Sequence, residues 1–396
     1  MTIPNKQQDE PAGLYVHIPF CLQKCPYCDF YSITDSSLHP AFLDALMCEM
    51  DLKSGFALTF DSLYIGGGTP AVFGAETIGR IIEAAHRSFN ILKDAEITLE
   101  VNPDTITPEK LEGFRRAGVN RLNIGVQSFI PENLNFLGRL HSRSDADLAG
   151  QWARDAGFEN IGLDLIYGIP GQTKKAWVAD LERALKFEPE HLSCYLLTYE
   201  PGTPMDKSRQ KGRFRPLNDD KIRDLFVSTT EFLAGRSYAQ YEVSNFASTG
   251  SGRSGQRSFE RNRSRHNRKY WSFTPYLGLG PSAHSFKEPE RSWNRPDVRD
   301  YINKLAAGRL PPSGREMLSR SQLMMEAICL GLRQTEGINI DAFEEKFGVN
   351  FHQRFIETLR GLEERGLIRS IQNRCALTRK GMLFLDSITS MLADQV

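Results

Sequence analysis

The stretch Cys21-Leu22-Gln23-Lys24-Cys25-Pro26-Tyr27-Cys28 follows directly on an apolar run, Leu14-Tyr15-Val16-His17-Ile18-Pro19-Phe20. The run reads as a short strand, and the three thiols stand in the loop that leaves its carboxyl end. Three thiolates within eight residues suit three irons of a four-iron cluster. Clusters of this kind usually take four cysteines, so the missing fourth ligand leaves one iron open for a small molecule that completes the site.

Two other readings of the same residues stay open. Zinc wants a tetrahedral set of Cys and His donors, and His17, four residues upstream, offers a fourth. The pair Cys25-Pro26-Tyr27-Cys28 also has the spacing of a redox dithiol, although that reading leaves Cys21 and most of the chain without a role. The remaining cysteines, Cys48, Cys194, Cys329 and Cys375, stand among apolar neighbours and are expected to be buried small hydrophobes.

Outward from the cysteine loop, short apolar runs alternate with longer amphipathic stretches. Strands are expected at residues 14–18, 62–65, 96–101, 121–126, 160–166 and 191–197, with helices at 40–52, 75–89, 108–117, 145–156 and 175–186 between them. Units of about 30–40 residues are the size of a βα pair and imply parallel strands. The fold class is therefore α/β, a partial (β/α)6 barrel, with a doubly wound sheet as the alternative. Glycines and polar residues gather where strands end: Gly66-Gly67-Gly68-Thr69-Pro70, Glu100-Val101-Asn102-Pro103-Asp104, Gly125-Val126-Gln127-Ser128-Phe129 and Asp164-Leu165-Ile166-Tyr167-Gly168. Carboxyl ends of barrel strands are where α/β barrels build their sites, so these motifs and the cysteine loop point to one place.

The chemistry of these residues is consistent with that. Gly67 and Gly68 let backbone approach a ligand closely, although a glycine triplet alone is more often a tight turn. No Gly-Lys-Ser/Thr follows, so this is not a phosphate loop. Glu100 and Asp164 could accept hydrogen bonds from sugar hydroxyls, Gln127 could pair with an amide or carboxylate, and Arg139 could clamp a carboxylate. Each alone could equally be barrel-mouth solvation or an ion pair.

Past residue 201 the pattern changes. Residues 247–256 are rich in Gly and Ser and are expected to be a flexible loop. Between 247 and 269 stand seven Lys/Arg and one acid, leading into His266-Asn267-Arg268-Lys269-Tyr270-Trp271. An imidazole beside two aromatic rings and a set of arginines could ligate haem iron and meet its propionates; a surface histidine beside core aromatics is the plainer alternative. His284, on a glycine-rich turn, is the competing ligand. The division expected is a polar tail at 1–13, a core barrel at 14–210, a barrel extension at 211–314 and a C-terminal α+β unit at 315–396. Three helices and a hairpin in that last unit resemble a winged helix. From 316 to 396 there are ten Lys/Arg against eleven Asp/Glu, so no nucleic acid partner is expected.

The whole chain of 396 residues balances 49 basic against 49 acidic residues, which gives no global field for nucleic acid or membrane. The first ten residues are polar and unlike a signal peptide, and no apolar run reaches the ~20 residues of a membrane span. Unpaired thiols suit a reducing compartment, so the cytoplasm is expected, with any membrane contact only through a partner.

Together, Tyr15-Val16-His17-Ile18-Pro19-Phe20-Cys21, the 66–70 and 125–129 motifs and the 164–170 segment resemble the radical S-adenosylmethionine (SAM) proteins related to oxygen-independent coproporphyrinogen III oxidase. The resemblance runs from about residue 14 to the end of the chain. It implies a [4Fe–4S] cluster on Cys21, Cys25 and Cys28. It also implies SAM contacts from Tyr15, Tyr27, Gly67, Gly68, Thr69, Glu100, Gln127, Arg139 and Asp164. Two features resemble the heme-chaperone branch rather than the oxidases: Phe30 stands where the oxidases carry a fourth cysteine, and the His266–Trp271 motif is present. That branch implies haem as cargo, bound through His266, Tyr270 and Trp271, and respiratory haem proteins as acceptors. The oxidase alternative implies decarboxylation of propionates by a 5′-deoxyadenosyl radical.

Overall fold

A computed structural model describes residues 10–250, 255–311 and 313–396. Of the expected tail, residues 1–9 lie outside the described residues, as do 251–254 of the Gly/Ser-rich stretch. The six expected strands form as β1 (Ala12–Ile18), β2 (Thr59–Gly67), β3 (Asn90–Val101), β4 (Arg121–Gln127), β5 (Ile161–Tyr167) and β6 (His191–Leu196). They lie side by side in chain order and parallel. The crossovers are helical: α1 (His39–Leu52), α2 (Ala75–Ser88), α3 (Pro108–Arg116), α4 (Pro131–Leu137), α5 (Arg143–Asp155) and α6 (Lys174–Ala184).

Alternation along the strands explains both faces. Leu14, Val16 and Ile18 of β1, with Leu63 and Ile65 of β2, are fully buried in the main core. The alternate residues are polar or aromatic: Tyr15 and His17, Ser62 and Tyr64, Glu96, Thr98 and Glu100, Arg121 and Asn123. They meet one another across strands through contacts such as Tyr64–Glu100 and Asn123–Asp164. The inner face of this partial barrel is therefore polar, unlike a barrel filled by branched aliphatics.

The sheet is wider than six strands. After α7 (Pro204–Gln210) and α8 (Asp219–Ala234) come β7 (Tyr238–Gln240) and β8 (Asn245–Ser248), and β8 pairs antiparallel with β6. The Gly/Ser-rich stretch thus begins within a strand, and it ends in α9 (Gly255–Asn262). Next come α10 (Arg265–Trp271) and β9 (Tyr276–Leu279), which pairs parallel with β1 on the other edge. The antiparallel strands β10 (His284–Lys287), β11 (Glu290–Asn294) and β12 (Ser313–Met317) continue that edge, with α11 (Val298–Ala306) inserted before β12. The result is a twelve-stranded sheet. The extra strands are three to five residues long, too short to show a period in sequence.

The C-terminal elements are α12 (Arg320–Arg333), β13 (Ile338–Asn339), α13 (Ile340–Phe347), α14 (Phe351–Glu364), β14 (Ile368–Ile371), β15 (Arg374–Leu377), α15 (Arg379–Met382) and α16 (Leu385–Ala393). A capping box of Ser319 and Gln322 starts α12. The rings of Phe343, Phe347, Phe351 and Phe355 pack together behind the three-stranded sheet, and the order of elements is winged-helix-like. Cys194 and Cys375 are buried as expected and Cys48 is half-buried, but Cys329 is exposed on α12. Its α12 neighbours Leu323, Ile328 and Leu332 occupy the buried side of the helix instead. No helix of the described residues is long and apolar enough to cross a membrane.

Candidate functional site

Cys21, Cys25 and Cys28 are free and half-buried at the carboxyl end of β1. The loop is tied down by its backbone. Cys21 N–H donates to the Ile33 carbonyl at 2.9 Å, Cys28 N–H to Cys25 at 3.1 Å, and the Pro26 carbonyl accepts from Met205 at 2.9 Å. The glycine turn after β2 is bound to the same loop: Gly68 N–H donates to Ile18 at 2.8 Å and Thr69 N–H to Phe20 at 2.7 Å. Gly67 has φ +112°, and a Cβ there would stand 2.6 Å from the His17 ring; one at Gly68 would stand 2.6 Å from the Phe20 carbonyl and 3.0 Å from Cys21 Sγ. Only glycine permits this approach.

Donors converge on the thiols. Thr69 Oγ1 lies 3.7 Å from Cys21 Sγ, and Arg139 Nη1 lies 3.5 Å from Cys25 Sγ. Arg139 is aimed by Asn102 Oδ1 and the Gly125 carbonyl, which accept from Nη2 at 2.7 and 2.8 Å. Asn102 in turn donates to Thr69 Oγ1 at 3.0 Å. A small cleft lined by Cys25, Thr69, Asn102, Asp104 and Arg139 opens here, and Leu22, Phe30 and Leu140 are exposed apolar residues of the surrounding loops. Burial pushes the Cys28 thiol up from its ordinary value, so a metal must displace its proton on binding.

The other expected contacts line the same inner face. Glu100 accepts from Tyr64 Oη at 2.7 Å and from Gly67 N–H at 3.0 Å. Burial pushes its carboxyl up to about 7. Asp164, also raised by burial although the Ser193 and Asn123 side chains counter it, accepts from Asn123 through Oδ2 at 2.7 Å. Tyr15 Oη meets His17 Nδ1 at 3.0 Å. Gln127 takes φ +66° where the β4–β5 register shifts; such strain in a non-glycine residue concentrates at functional sites. Tyr27 packs on a small satellite core of Leu137, Ile166, Ile169, Leu197 and Met205. The structure thus brings Cys21, Cys25, Cys28, Tyr15, Gly67, Gly68, Thr69, Glu100, Gln127, Arg139 and Asp164 to one barrel mouth, with Tyr27 in its rim.

The zinc reading lacks its donors. Both ring nitrogens of His17 are engaged, by Tyr15 Oη at 3.0 Å and the Tyr31 carbonyl at 2.9 Å. Among the described residues no three His, Cys, Asp or Glu side chains converge on one metal ion. A four-iron cluster takes one thiolate per iron, so its donors stand further apart than those of a tetrahedral ion.

The expected haem segment is placed differently. His266 is 1 % exposed, and its Nδ1 meets Ser62 Oγ at 3.1 Å while Nε2 meets Tyr270 Oη at 3.0 Å. Burial holds its pKa near 3, so it is a neutral core histidine with no nitrogen free for iron. Tyr270 stacks edge-on to Tyr276 at 4.7 Å. Trp271 lies against Tyr241, with Arg333 of α12 5.6 Å over its ring. The segment is structural in this conformation because its polar atoms find partners on strands far away in the chain. His266→Ala is expected to cost roughly 2–4 kcal/mol, from two lost hydrogen bonds and a cavity. Urea unfolding reads this directly, and a loss below about 1 kcal/mol would contradict the buried placement.

Sequence reasoning gave no role to several residues of the site. Tyr64 and Asn102 stand beside motifs already marked, and strand alternation could have found Tyr64. Arg121, fully buried on the inner face 3.9 Å from Glu96, could not have been told from a surface arginine.

Comparison with known proteins places this geometry. A heme chaperone HemW of Bacillus subtilis is 34% identical over 93% of this chain and 96% of its own length. One of Mycobacterium tuberculosis is 32% identical over 97% and 95%. The chain belongs to the HemW family. Residues 15–184 match the radical SAM superfamily, and residues 318–384 match the HemN C-terminal domain. Among solved structures, coproporphyrinogen III oxidase (HemN) from Escherichia coli, described as a radical SAM enzyme, superposes with a TM-score of 0.82. It is 25% identical to this chain, over 98% of it and 91% of the oxidase. The α/β fold expected from the strand pattern, and the radical SAM fold that the resemblance implied, are therefore the fold of this HemW-family chain.

Proposed function

We propose that this chain is a haem chaperone. Working in the cytoplasm, it would carry a [4Fe–4S] cluster on Cys21, Cys25 and Cys28, bind SAM on the inner face of the barrel, and pass haem to respiratory haem proteins. The observation that carries the reading is the three-thiol loop locked against Gly67–Gly68, with polar acceptors and no fourth cysteine beside it. Phe30, where the oxidases have that cysteine, is 69 % exposed. The names of the HemW relatives support haem as cargo, and the donor set fits the cluster.

When bound, the cluster supplies an open iron for the amino and carboxylate groups of SAM and a route for one-electron chemistry. The chain's own residues do the rest. Gly67 and Gly68 keep side chains out of the approach, Thr69 and Arg139 direct positive dipoles and charge at the thiolates, and Glu100 and Asp164 present acceptors for ribose hydroxyls. The test is to incubate anaerobic, reconstituted protein with haem and an apo acceptor and, separately, with coproporphyrinogen III, SAM and a reductant. One-to-one haem binding with transfer and no protoporphyrinogen is expected. Sustained decarboxylation without haem transfer would make the chain an oxidase.

Glu100 gives the site a pH dependence. As an acceptor it works ionised, and burial pushes its carboxyl up to about 7. SAM affinity, read by equilibrium dialysis, is expected to fall by up to about tenfold for each pH unit below 7. Glu100→Gln should bind more weakly and lose that slope; an unchanged slope in the variant would remove Glu100 from the site. For folding the sign is opposite. A carboxyl raised in the native state stabilises fully below the ordinary glutamate pKa, and this contribution is lost as pH rises to about 7.

A further inference from the structure

Both nitrogens of His266 are engaged toward the amino ends of the strands, and the structure offers a different imidazole at the carboxyl end, where the cysteine loop lies. β9 runs parallel to β1, with Leu279 opposite Val16, so the turn after β9 leaves at the end that carries the cysteine loop. His284 opens β10 immediately after that turn and is exposed. Its charge is among those felt at His17. Neither of its ring nitrogens has a hydrogen bond among the described residues.

The support for this ring is built from two directions. His284 stands directly opposite Trp293 on β11, and Trp293 opposite Gly314 on β12. The imidazole and indole are stacked, with centroids 5.8 Å apart and planes at 24°. A Cβ at Gly314 would come within 2.1 Å of the indole, so Trp293 lies flat on bare backbone. Two residues further along β10, Phe286 packs on Tyr276, and Tyr276 on Tyr270. Tyr270 holds His266 Nε2. The His266–Trp271 segment is thus the floor of an aromatic wall whose exposed upper end is His284.

We propose that His284 is the axial ligand of an iron porphyrin bound at the barrel mouth, with Trp293 fixing the orientation of its imidazole. This rests on the haem-chaperone reading and gives it a place. The bond formed is from a neutral ring nitrogen's lone pair to iron; no proton or electron is transferred. Burial and the nearby Arg291 lower the pKa of His284, which favours the neutral form.

The experiment titrates haem into wild type, His284→Ala, His284→Met and Trp293→Ala, with metal-free protoporphyrin IX as a second probe. Wild type is expected to give a histidine-ligated Soret and EPR signature at one haem per chain. His284→Ala should weaken haem binding at least tenfold while leaving protoporphyrin binding within about twofold, and His284→Met should bind haem with a changed ligand-field spectrum. Trp293→Ala should broaden the signature. Haem binding by wild type with an identical spectrum and affinity in His284→Ala and His284→Met overturns this assignment alone. Failure of wild type to bind haem at all overturns the chaperone reading as well.

Discussion

Replacing Cys21, Cys25 and Cys28 together by alanine is expected to take bound iron from about four per chain to none after anaerobic reconstitution. Each thiolate would serve one iron, and no neighbouring side chain is placed to substitute. Thr69 and Arg139 approach the sulfurs as donors, not as ligands, and both nitrogens of His17 are occupied. The fold should survive the change. The loop is held by backbone hydrogen bonds from Cys21, Gly68, Thr69 and Met205 that alanine preserves, so thermal unfolding of the iron-free chains should shift little. Retention of about four irons in the triple variant would contradict the site. Stoichiometric zinc in protein purified without oxygen would return the mononuclear reading to first place.

The largest loss of stability is expected from Glu49→Ala. Glu49, on α1, is completely buried. Its Oε1 accepts from Lys53 at 2.7 Å and Asn294 at 2.8 Å; Oε2 accepts from Gly280 N–H at 2.7 Å and Tyr301 Oη at 2.6 Å. Four donors, from Lys53 just past α1, the turn after β9, the end of β11 and α11, thus meet on one carboxylate. Removing it leaves three buried donors unpaired and the half-buried Lys53 ammonium without its counter-charge, a cost of about 3–5 kcal/mol. Urea unfolding should show this, with Glu49→Gln intermediate because its amide keeps one accepting oxygen. A loss under about 1 kcal/mol would mean that the carboxylate is not the organiser of this edge. Because the same carboxylate fixes the turn that leads into His284, the variant should also broaden any haem spectrum.

What the sequence made legible is what local pattern encodes. The alternation of β1 and the glycines and acids at strand ends follow rules of spacing, so the six parallel strands and the residues that gather at their carboxyl ends could be marked in advance. The cysteine loop added chemistry that few alternatives explain. What stayed hidden depends on distant partners. Ser62, which captures His266, lies 204 residues away, so a core histidine looked like an exposed ligand. Glu49 sits in a helix pattern as an ordinary surface acid would, and only the added strands bury it. Those strands are short and carry little periodicity, which is why the sheet ended at six in the sequence and at twelve in the fold.

The central claim is an iron–sulfur cluster with one iron left open by three protein thiolates. The direct measurement is EPR of the reduced, reconstituted protein with and without SAM, using SAM labelled at its amino nitrogen and carboxylate for hyperfine detection. About four irons per chain, a signal that shifts on SAM addition, and coupling to the labelled atoms are expected. A signal unmoved by SAM, with no coupling to the label, would mean that the fourth iron is closed and would contradict the account.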